Sequence, residues 1–358
     1  MKRSWLRFLT AGQWMLAAAV AAIFCARMPA QGYAIGADVS FLAKCEADGV
    51  VFKDDGKPVD VLALLREHHY NWVRLRLFVD PSAAAADKLP NDLDYTIALA
   101  QRARKLGFHF LLDLHYSDTW ADPGKQFIPA AWKGLKHKQL VDQVFRYTGD
   151  TIAAFAQAGV LPDMVQLGNE ITNGMLWPDG KLPDNWDNFA DLLNAGIAGV
   201  DAGRGSLPKP RIMIHIERTG DYDAAVWFFS NLIAHHVPFD VIGLSYYPFW
   251  HGRIGMMRGN LHDLALRYRV PIIVVETAYN WTPGAMAGKK TEFSESPEGQ
   301  LKFLRAVDAA VRSVPGGLGQ GVFWWEPAAE GSLRGRSFFD NDGNVLPVIT
   351  AFDSAASP

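Results

Sequence analysis

A parallel (β/α)8 barrel, an α/β fold in a single domain, is the fold class this sequence predicts, and three observations carry the prediction. Eight short apolar runs recur along the chain, and longer stretches of helical period lie between them. No G-x-G-x-x-G follows the first run, so the alternative of a doubly wound sheet lacks its usual signature. No low-complexity linker, charge block or internal repeat divides residues 31–358, which read as one domain of a length that suits eight β/α units.

Taken in order, "YAIGADVS" (33–40) is the first strand and carries Asp38. In "WVRLRLF" (72–78), Val73, Leu75 and Leu77 alternate with Arg74 and Arg76, so helices can cover the apolar set while both arginines point inward. Inward arginines are destabilising unless paired, so carboxylates are expected near the barrel axis. "FHFLLDLH" (108–115) ends on His115. "DMVQLGN" (163–169) runs into Glu170, and Asn169 and Glu170 have opposite parity. Both can face one site only if regular strand geometry fails between Gly168 and Glu170. "RIMIHIE" (211–217) sets His215 opposite Ile214 and Ile216, and "DVIGLSY" (240–246) leads to Tyr247. "PIIVVE" (271–276) puts Ile272, Val274 and Glu276 on one face by alternation. "GVFWWE" (321–326) delivers Trp325, with one of Trp324 and Trp325 expected in the core. Among the helical stretches, "SPEGQLKFLRAVDAAVRSV" has Ser296 and Pro297 as start signals and Gly316 just past its end.

Charge is nearly balanced, at formal net −3 over 358 residues, and gives no footprint for a nucleic-acid or anionic-membrane partner. Residues 1–30 differ from the rest. Lys2, Arg3 and Arg7 precede an apolar stretch that ends at Met28-Pro29-Ala30, the order of a secretory signal peptide. Gln13 and the basic residues leave the apolar run near the lower limit for a retained anchor, and Phe24 disfavours lipid attachment at Cys25. The expectation is an exported protein, extracellular or periplasmic, with no stable membrane association after cleavage. It would keep Cys45 alone, so no intramolecular disulfide can form. A monomer is expected.

Barrel enzymes place their chemistry at the C-terminal ends of the strands. Here those ends present Asp38, Arg76, His115, Asn169-Glu170, His215, Tyr247, Glu276 and Trp325. Glu170 and Glu276, on strands four and seven, would face each other across the mouth. Two carboxylates flanking an aromatic cleft meet the requirement for glycoside hydrolysis, one protonated as acid and one ionised to attack. Arg76 is expected beside Glu276, depressing its pKa, and a less charged setting is expected to raise that of Glu170. A separation of ~5–5.5 Å gives retention and ~6.5–9.5 Å inversion. Simpler readings cover other candidates. His68-His69 and His235-His236 fall at helix ends without H-E-x-x-H spacing, as capping or solvated residues would. "FDNDGN" (339–344) lacks the full calcium-loop pattern and reads as a turn, and Asn280-Trp281-Thr282 is a sequon too near Glu276 to carry a glycan.

Several segments are specific enough to name a family. "GADVSFLAKCEADGVVFKDDGK", "VRLRLFVDP", "DLHYSDTWADPGKQ", "QLGNEITNGMLWPDG", "GLSYYPFWHG", "VVETAYNWT" and "FWWEPA" resemble the endo-β-1,4-galactanases of glycoside hydrolase family 53, in collinear order from about residue 33 to 350. The resemblance implies a retaining endo-hydrolase of β-1,4-galactan, the backbone of pectic type I arabinogalactan, that requires no cofactor. It implies Glu170 as acid/base, Glu276 as nucleophile and Asn169 as the anchor of the sugar 2-hydroxyl. Arg76 and Tyr247 would hold Glu276, with His115 and His215 around the pair and Trp325 as the aromatic floor. Asp38, Asp118 and Trp120 are implied as further sugar contacts. Some bacterial relatives carry a structural calcium after strands seven and eight, which the acidic residues here do not clearly support. Ala329 stands where members often have Trp, Asn280 replaces a Pro, and the loop from Glu330 to Phe339 is short, changes that bear on outer sugar subsites. Other readings are a mannanase or cellulase of the same clan, or a noncatalytic carbohydrate-binding barrel.

Overall fold

The computed structural model describes residues 32–284 and 291–356. The expected signal peptide over 1–30, with Cys25, lies outside the described residues. From Ala34 onward the chain forms one unit. Eight parallel strands close into a barrel: β1 (Ala34–Asp38), β2 (Trp72–Leu77), β3 (His109–Leu114), β4 (Met164–Leu167), β5 (Arg211–Ile216), β6 (Val241–Tyr246), β7 (Ile272–Thr277) and β8 (Gly319–Trp325). Strand β1 pairs with β2 and also with β8, Ala34 to Asp38 lying opposite Gly321 to Trp325. That closure rules out a doubly wound sheet, which would leave two open edges.

Helices α1 (Val61–Glu67), α2 (Leu93–Lys105), α3 (His137–Gln157), α4 (Trp186–Gly203), α5 (Tyr222–Ala234), α6 (Ile254–Tyr268) and α7 (Pro297–Arg312) follow the first seven strands. In the eighth place a 3₁₀ segment, Pro347–Ala356, packs on α7. Side-chain caps start several helices: Asp60, Asp92, Asp221 and Ser296 each accept a first-turn amide. The start of α7 falls at Ser296-Pro297 as the sequence predicts, but its end is capped at Ser313. Gly316, with φ of 68°, serves a 3₁₀ turn beyond it. His68 and His235 are indeed C-cap residues. "FDNDGN" is a turn in which Asp340 Oδ1 accepts the amides of Asp342 and Asn344 at 2.9 and 2.8 Å. Among the described residues no group of three or more His, Cys, Asp or Glu could hold a metal, and no helix is long and apolar enough to cross a membrane.

The barrel interior has two zones. The lower is apolar, with Trp72, Leu111, Met164, Met213 and Phe323 from different strands meeting in one cluster. Gly36 belongs here because a Cβ at that position would sit 2.2 Å from the Phe323 ring. Two residues further up β2, β3, β4 and β5, the same parity delivers Arg74, Asp113, Gln166 and His215, none more than 1% exposed. The interior thus turns from oily to polar in a single step along the strands.

Alternation fails at two places, both at the mouth. β4 ends at Leu167, and Gly168 and Glu170 then adopt φ of 79° and 48°, so the chain bends where the parity conflict requires it. On β7 the expected face is wrong: Ile273 and Val275, not Ile272 and Val274, join the interior cluster. Glu276 nonetheless turns inward because the ladder slips against both neighbours, between Val274 and Glu276 on the β6 side and between Val274 and Thr277 on the β8 side.

Candidate active site

A cleft of about 1120 Å³ opens over the C-terminal ends of the strands. Its walls include Glu170, Glu276, Asn169, Arg76, His115, Tyr247, Trp120 and Trp325, all expected from the sequence. Trp325 lies in the cleft while Trp324 is buried at 1% exposure, so the pair divides between site and core.

Arg74 is the hub beneath the cleft. One terminal nitrogen lies 2.8 Å from both Asp38 Oδ2 and Glu276 Oε1, and the other donates to Asp113 Oδ2 at 2.8 Å and Asn169 Oδ1 at 3.0 Å. Its Nε donates to Gln166 Oε1 at 3.2 Å. The whole guanidinium fork is engaged, which a buried cation requires. Arg76, expected beside Glu276, is elsewhere. It donates to Glu326 Oε1 and lies 4.5 Å from the centroids of both the Phe41 and Trp120 rings. Arg74 and Arg76 share a strand face, but Arg74 sits lower, under the axis, and only it reaches β7.

Three residues expected at the site, Asp38 and Asp118 as sugar contacts and His215 around the glutamate pair, do not line the cleft. Asp38 is fully buried, its carboxylate taken by Arg74 and by the Ser40 hydroxyl at 2.5 Å. Asp118 accepts the amides of Asp80 and Ala130 at 3.1 and 2.7 Å, so it braces two loops outside the cleft wall. His215 lies at 0% exposure below Asn169 and away from the cleft wall. Short polar strand-end residues were indistinguishable by type alone from those one layer deeper.

The Asn169-Glu170 turn is braced from the loop after β3. Gln126 Nε2 donates to the Asn169 carbonyl at 2.8 Å, and Asn169 Nδ2 donates to the Ala121 carbonyl at 2.9 Å. The Ala121 amide in turn donates to His115 Nδ1 at 3.2 Å, which leaves the His115 proton on Nε2, 3.0 Å from Asp113 Oδ2. His115 therefore supports the turn through Ala121. Glu170 holds left-handed backbone, ψ 52°, where a non-glycine residue is strained.

The two glutamates sit in different fields. Glu276 has Arg74 on one oxygen and the Tyr247 hydroxyl 3.2 Å from the other. Glu170 Oε1 accepts the neutral Ser245 hydroxyl at 2.6 Å. Burial raises the pKa of Glu276, and the Arg74 charge pulls it back down. Burial also raises Glu170, which the negative charge of Glu276 pushes well above the ordinary carboxylate range. The expected depression of Glu276 is thus not found, because desolvation exceeds the guanidinium's effect; the expected ordering, Glu170 above Glu276, is. One proton between the two resides on Glu170.

Several residues in the cleft or beneath it had no site role assigned from the sequence. Arg74 carried a signal in its shared parity with Arg76, and Asp113 in its parity with His115. Glu326, 0% exposed with its pKa pushed up to about 8 by burial, lay outside the expected strand-end set. Glu217, Arg218 and the 69% exposed Trp250 extend the cleft beyond β5 and β6; no role was assigned to them from the sequence, although Glu217 ends "RIMIHIE" and Trp250 lies in "GLSYYPFWHG".

A closed barrel with paired, differently tuned carboxylates in an aromatic-lined cleft defines the class: a barrel-type glycoside hydrolase. The sequence comparisons are narrower. A family model described as Glycosyl hydrolase family 53 matches residues 34–352, and the chain belongs to that family. It is 42% identical over 316 residues to a Niallia circulans protein known from the bgaB 5′ region, covering 83% of this chain and 84% of that one. It is 35% identical over 347 residues to the arabinogalactan endo-β-1,4-galactanase of Cellvibrio japonicus, covering 89% and 90% of the two chains. A solved structure from work on two fungal β-1,4-galactanases superposes with a TM-score of 0.82 at 33% identity, covering 90% of this chain and 99% of that one.

Proposed function

We propose that this protein is an endo-β-1,4-galactanase acting on galactan and type I arabinogalactan by double displacement. The observation that carries the mechanism is the contrast between its two carboxyls, one beside Arg74 and one beside a neutral serine. Galactanase relatives that align along most of both chains support the substrate. Glu276, the more readily ionised, attacks the anomeric carbon. Glu170 gives its proton to the leaving oxygen, then takes one from the water that releases the sugar. Asn169, with one Nδ2 hydrogen on Ala121, has the other to offer the sugar 2-hydroxyl. Tyr247 holds Glu276, and Trp325 with Trp120 forms an apolar floor. The two carboxyls carry the reaction without a cofactor. The basic-then-apolar order of residues 1–30 supports export to the periplasm or medium, and the protein acts as a monomer on its polysaccharide.

The test is reducing-sugar release from β-1,4-galactan, β-mannan and carboxymethylcellulose, with the product anomer followed by proton NMR. Activity on galactan with an initial β-anomer is expected. Activity only on the other two polymers would overturn the substrate, an initial α-anomer the mechanism, and binding without turnover would favour the noncatalytic barrel.

A further inference from the structure

The hydroxyl bonded to the proposed acid/base comes from a residue to which the sequence assigned no role. Ser245, on β6, is 0% exposed, and its hydroxyl donates to Glu170 Oε1 at 2.6 Å. Behind it, His215 Nε2 lies 2.8 Å from Ser245 Oγ. The far side of the imidazole is unusual. Its Nδ1 is 3.0 Å from Asn169 Oδ1 and 3.1 Å from Gln166 Nε2. Both amide orientations are settled by other bonds. Asn169 Nδ2 donates to the Ala121 carbonyl, and Gln166 Nε2 donates to Asp113 Oδ1 at 2.7 Å. Gln166 Nε2 also donates to the Gly168 carbonyl at 3.0 Å, so both its hydrogens are taken. Nδ1 therefore faces the acceptor Asn169 Oδ1 and carries the imidazole proton, which leaves Nε2 as an acceptor turned toward the Ser245 hydroxyl.

From this geometry, and resting on the reading of Glu170 as the acid/base, we propose that Ser245 is a positioning residue. Together with His215 it forms a reversible hydrogen-bond chain that follows Glu170 through its two protonation states and selects which carboxyl oxygen bears the catalytic proton. With the imidazole proton on Nδ1, the Ser245 hydroxyl donates to Nε2 and its oxygen accepts from a protonated Glu170 Oε1, so the catalytic proton resides on Oε1. In glycosylation that proton goes to the leaving oxygen as the glycosidic bond breaks and Glu276 bonds to the anomeric carbon. The serine hydroxyl then turns to donate to the new carboxylate at Oε1. In deglycosylation Glu170 removes a proton from water, whose oxygen displaces Glu276, and the hydroxyl turns back to Nε2. No proton leaves Ser245 or His215 in either step.

The placement follows from the irregular ladder between β6 and β7. Its register shift sets Ser245 opposite Glu276, so the residue holding the acid lies beside the residue that attacks. The charged and titratable groups acting on Glu170 are Glu276 from β7, Glu217 from the end of β5, Arg74 from β2 and Tyr247 after β6. Those acting on His215 are Arg74, Asp113 and His115, and burial with the Arg74 charge keeps the imidazole neutral, well below its ordinary pKa. A neutral imidazole is what a reversible chain requires, because a doubly protonated ring could only donate.

The experiment compares wild type, S245A and S245T on galactan and on 2,4-dinitrophenyl β-1,4-galactobioside, whose leaving group needs no acid. Wild-type turnover of galactan is the entry condition, and its failure would count against the functional reading rather than the chain. For S245A, kcat/KM on galactan is expected to fall about ten- to hundredfold, with kcat/KM on the dinitrophenyl substrate within about threefold of wild type. The alkaline limb of the galactan profile should move up by about one pH unit, since the Glu170 carboxylate loses a charged hydrogen bond. S245T, which keeps a hydroxyl, should return the limb toward wild type. Equal losses on both substrates, or an alkaline limb that stays in place, would overturn the proposal. If S245A does not fold, S245C, a weaker donor at the same atom position, must show part of the same shift or the proposal falls.

Discussion

Arg74→Met removes the guanidinium that contacts Glu276 beneath the carboxylate pair, and the structure sets the size of the effect. In wild type the guanidinium lies 2.8 Å from carboxylate oxygens of Asp38, Asp113 and Glu276. A unit charge at ~4 Å and an effective dielectric of ~20 is worth ~4 kcal/mol, an upper bound of ~3 pKa units on Glu276. Relaxation and proton uptake by Asp113 reduce this to roughly 1–2 units. Glu276 attacks only when ionised, so activity rises with pH through its pKa, and raising that pKa moves the acid limb to higher pH. Below the limb, kcat/KM should drop roughly 10–100-fold. Stripping three buried carboxylates of their partner should also lower stability by about 3–5 kcal/mol, read from the denaturant midpoint. Arg74→Lys separates charge from geometry: the ammonium preserves most of the limb position but not the five-donor fork, so Asn169 and Gln166 lose their bonds and KM rises. A folded Arg74→Met protein whose acid limb coincides with that of wild type would refute the reasoning.

Other outcomes follow from the same geometry. Glu170→Ala should lose about 10²–10⁴-fold on galactan but little in kcat/KM on a dinitrophenyl galactobioside, and added azide should yield the β-glycosyl azide by NMR; an α-azide would contradict retention. Trp325→Ala should raise KM for galactan with a small change in melting temperature, whereas Trp324→Ala, at a fully packed position, should cost about 3–5 kcal/mol in denaturant titrations; the reverse pattern would exchange their roles. Glu326 keeps its proton in the folded state up to about pH 8, against an ordinary value of 4.5. Its folded pKa being the higher, stability should fall as pH rises between those two values, and Glu326→Gln should flatten that slope in melting curves. Burial pushes the Cys45 thiol up to about 12, so native protein should resist maleimide at pH 8 and react once denatured.

How much of this was legible in the sequence depends on what each feature needs. The strands and their order were, because alternation and helix caps are local: "WVRLRLF" shows its inward face without reference to anything else. Glu170 and Glu276 were legible because position at a strand end restricts what a glutamate can do. The break after Leu167 was legible because Asn169 and Glu170 could not otherwise share a site. The β7 slip was not, since it is a property of three strands pairing together and leaves no mark in "PIIVVE". For the same reason, choosing between Arg74 and Arg76 required knowing how far each sits along the barrel axis. Ser245 was illegible for a different reason. A serine in an apolar strand is ordinary, and only the carboxylate 2.6 Å away distinguishes it.

Position 170 is a place where the best residue for folding and the best residue for chemistry are not the same. Glycine would accept its φ of 48° without penalty, and any neutral side chain would avoid burying an acid next to another acid. A chain selected only to persist would drift to such a residue, gaining on the order of 1 kcal/mol from the backbone alone. That this one retains glutamate means the rest of the barrel carries a margin large enough to hold it. Inactive variants at this site should therefore melt higher than the native protein. For anyone capturing galactan oligomers in the cleft, the sturdier protein and the silent one can be the same molecule.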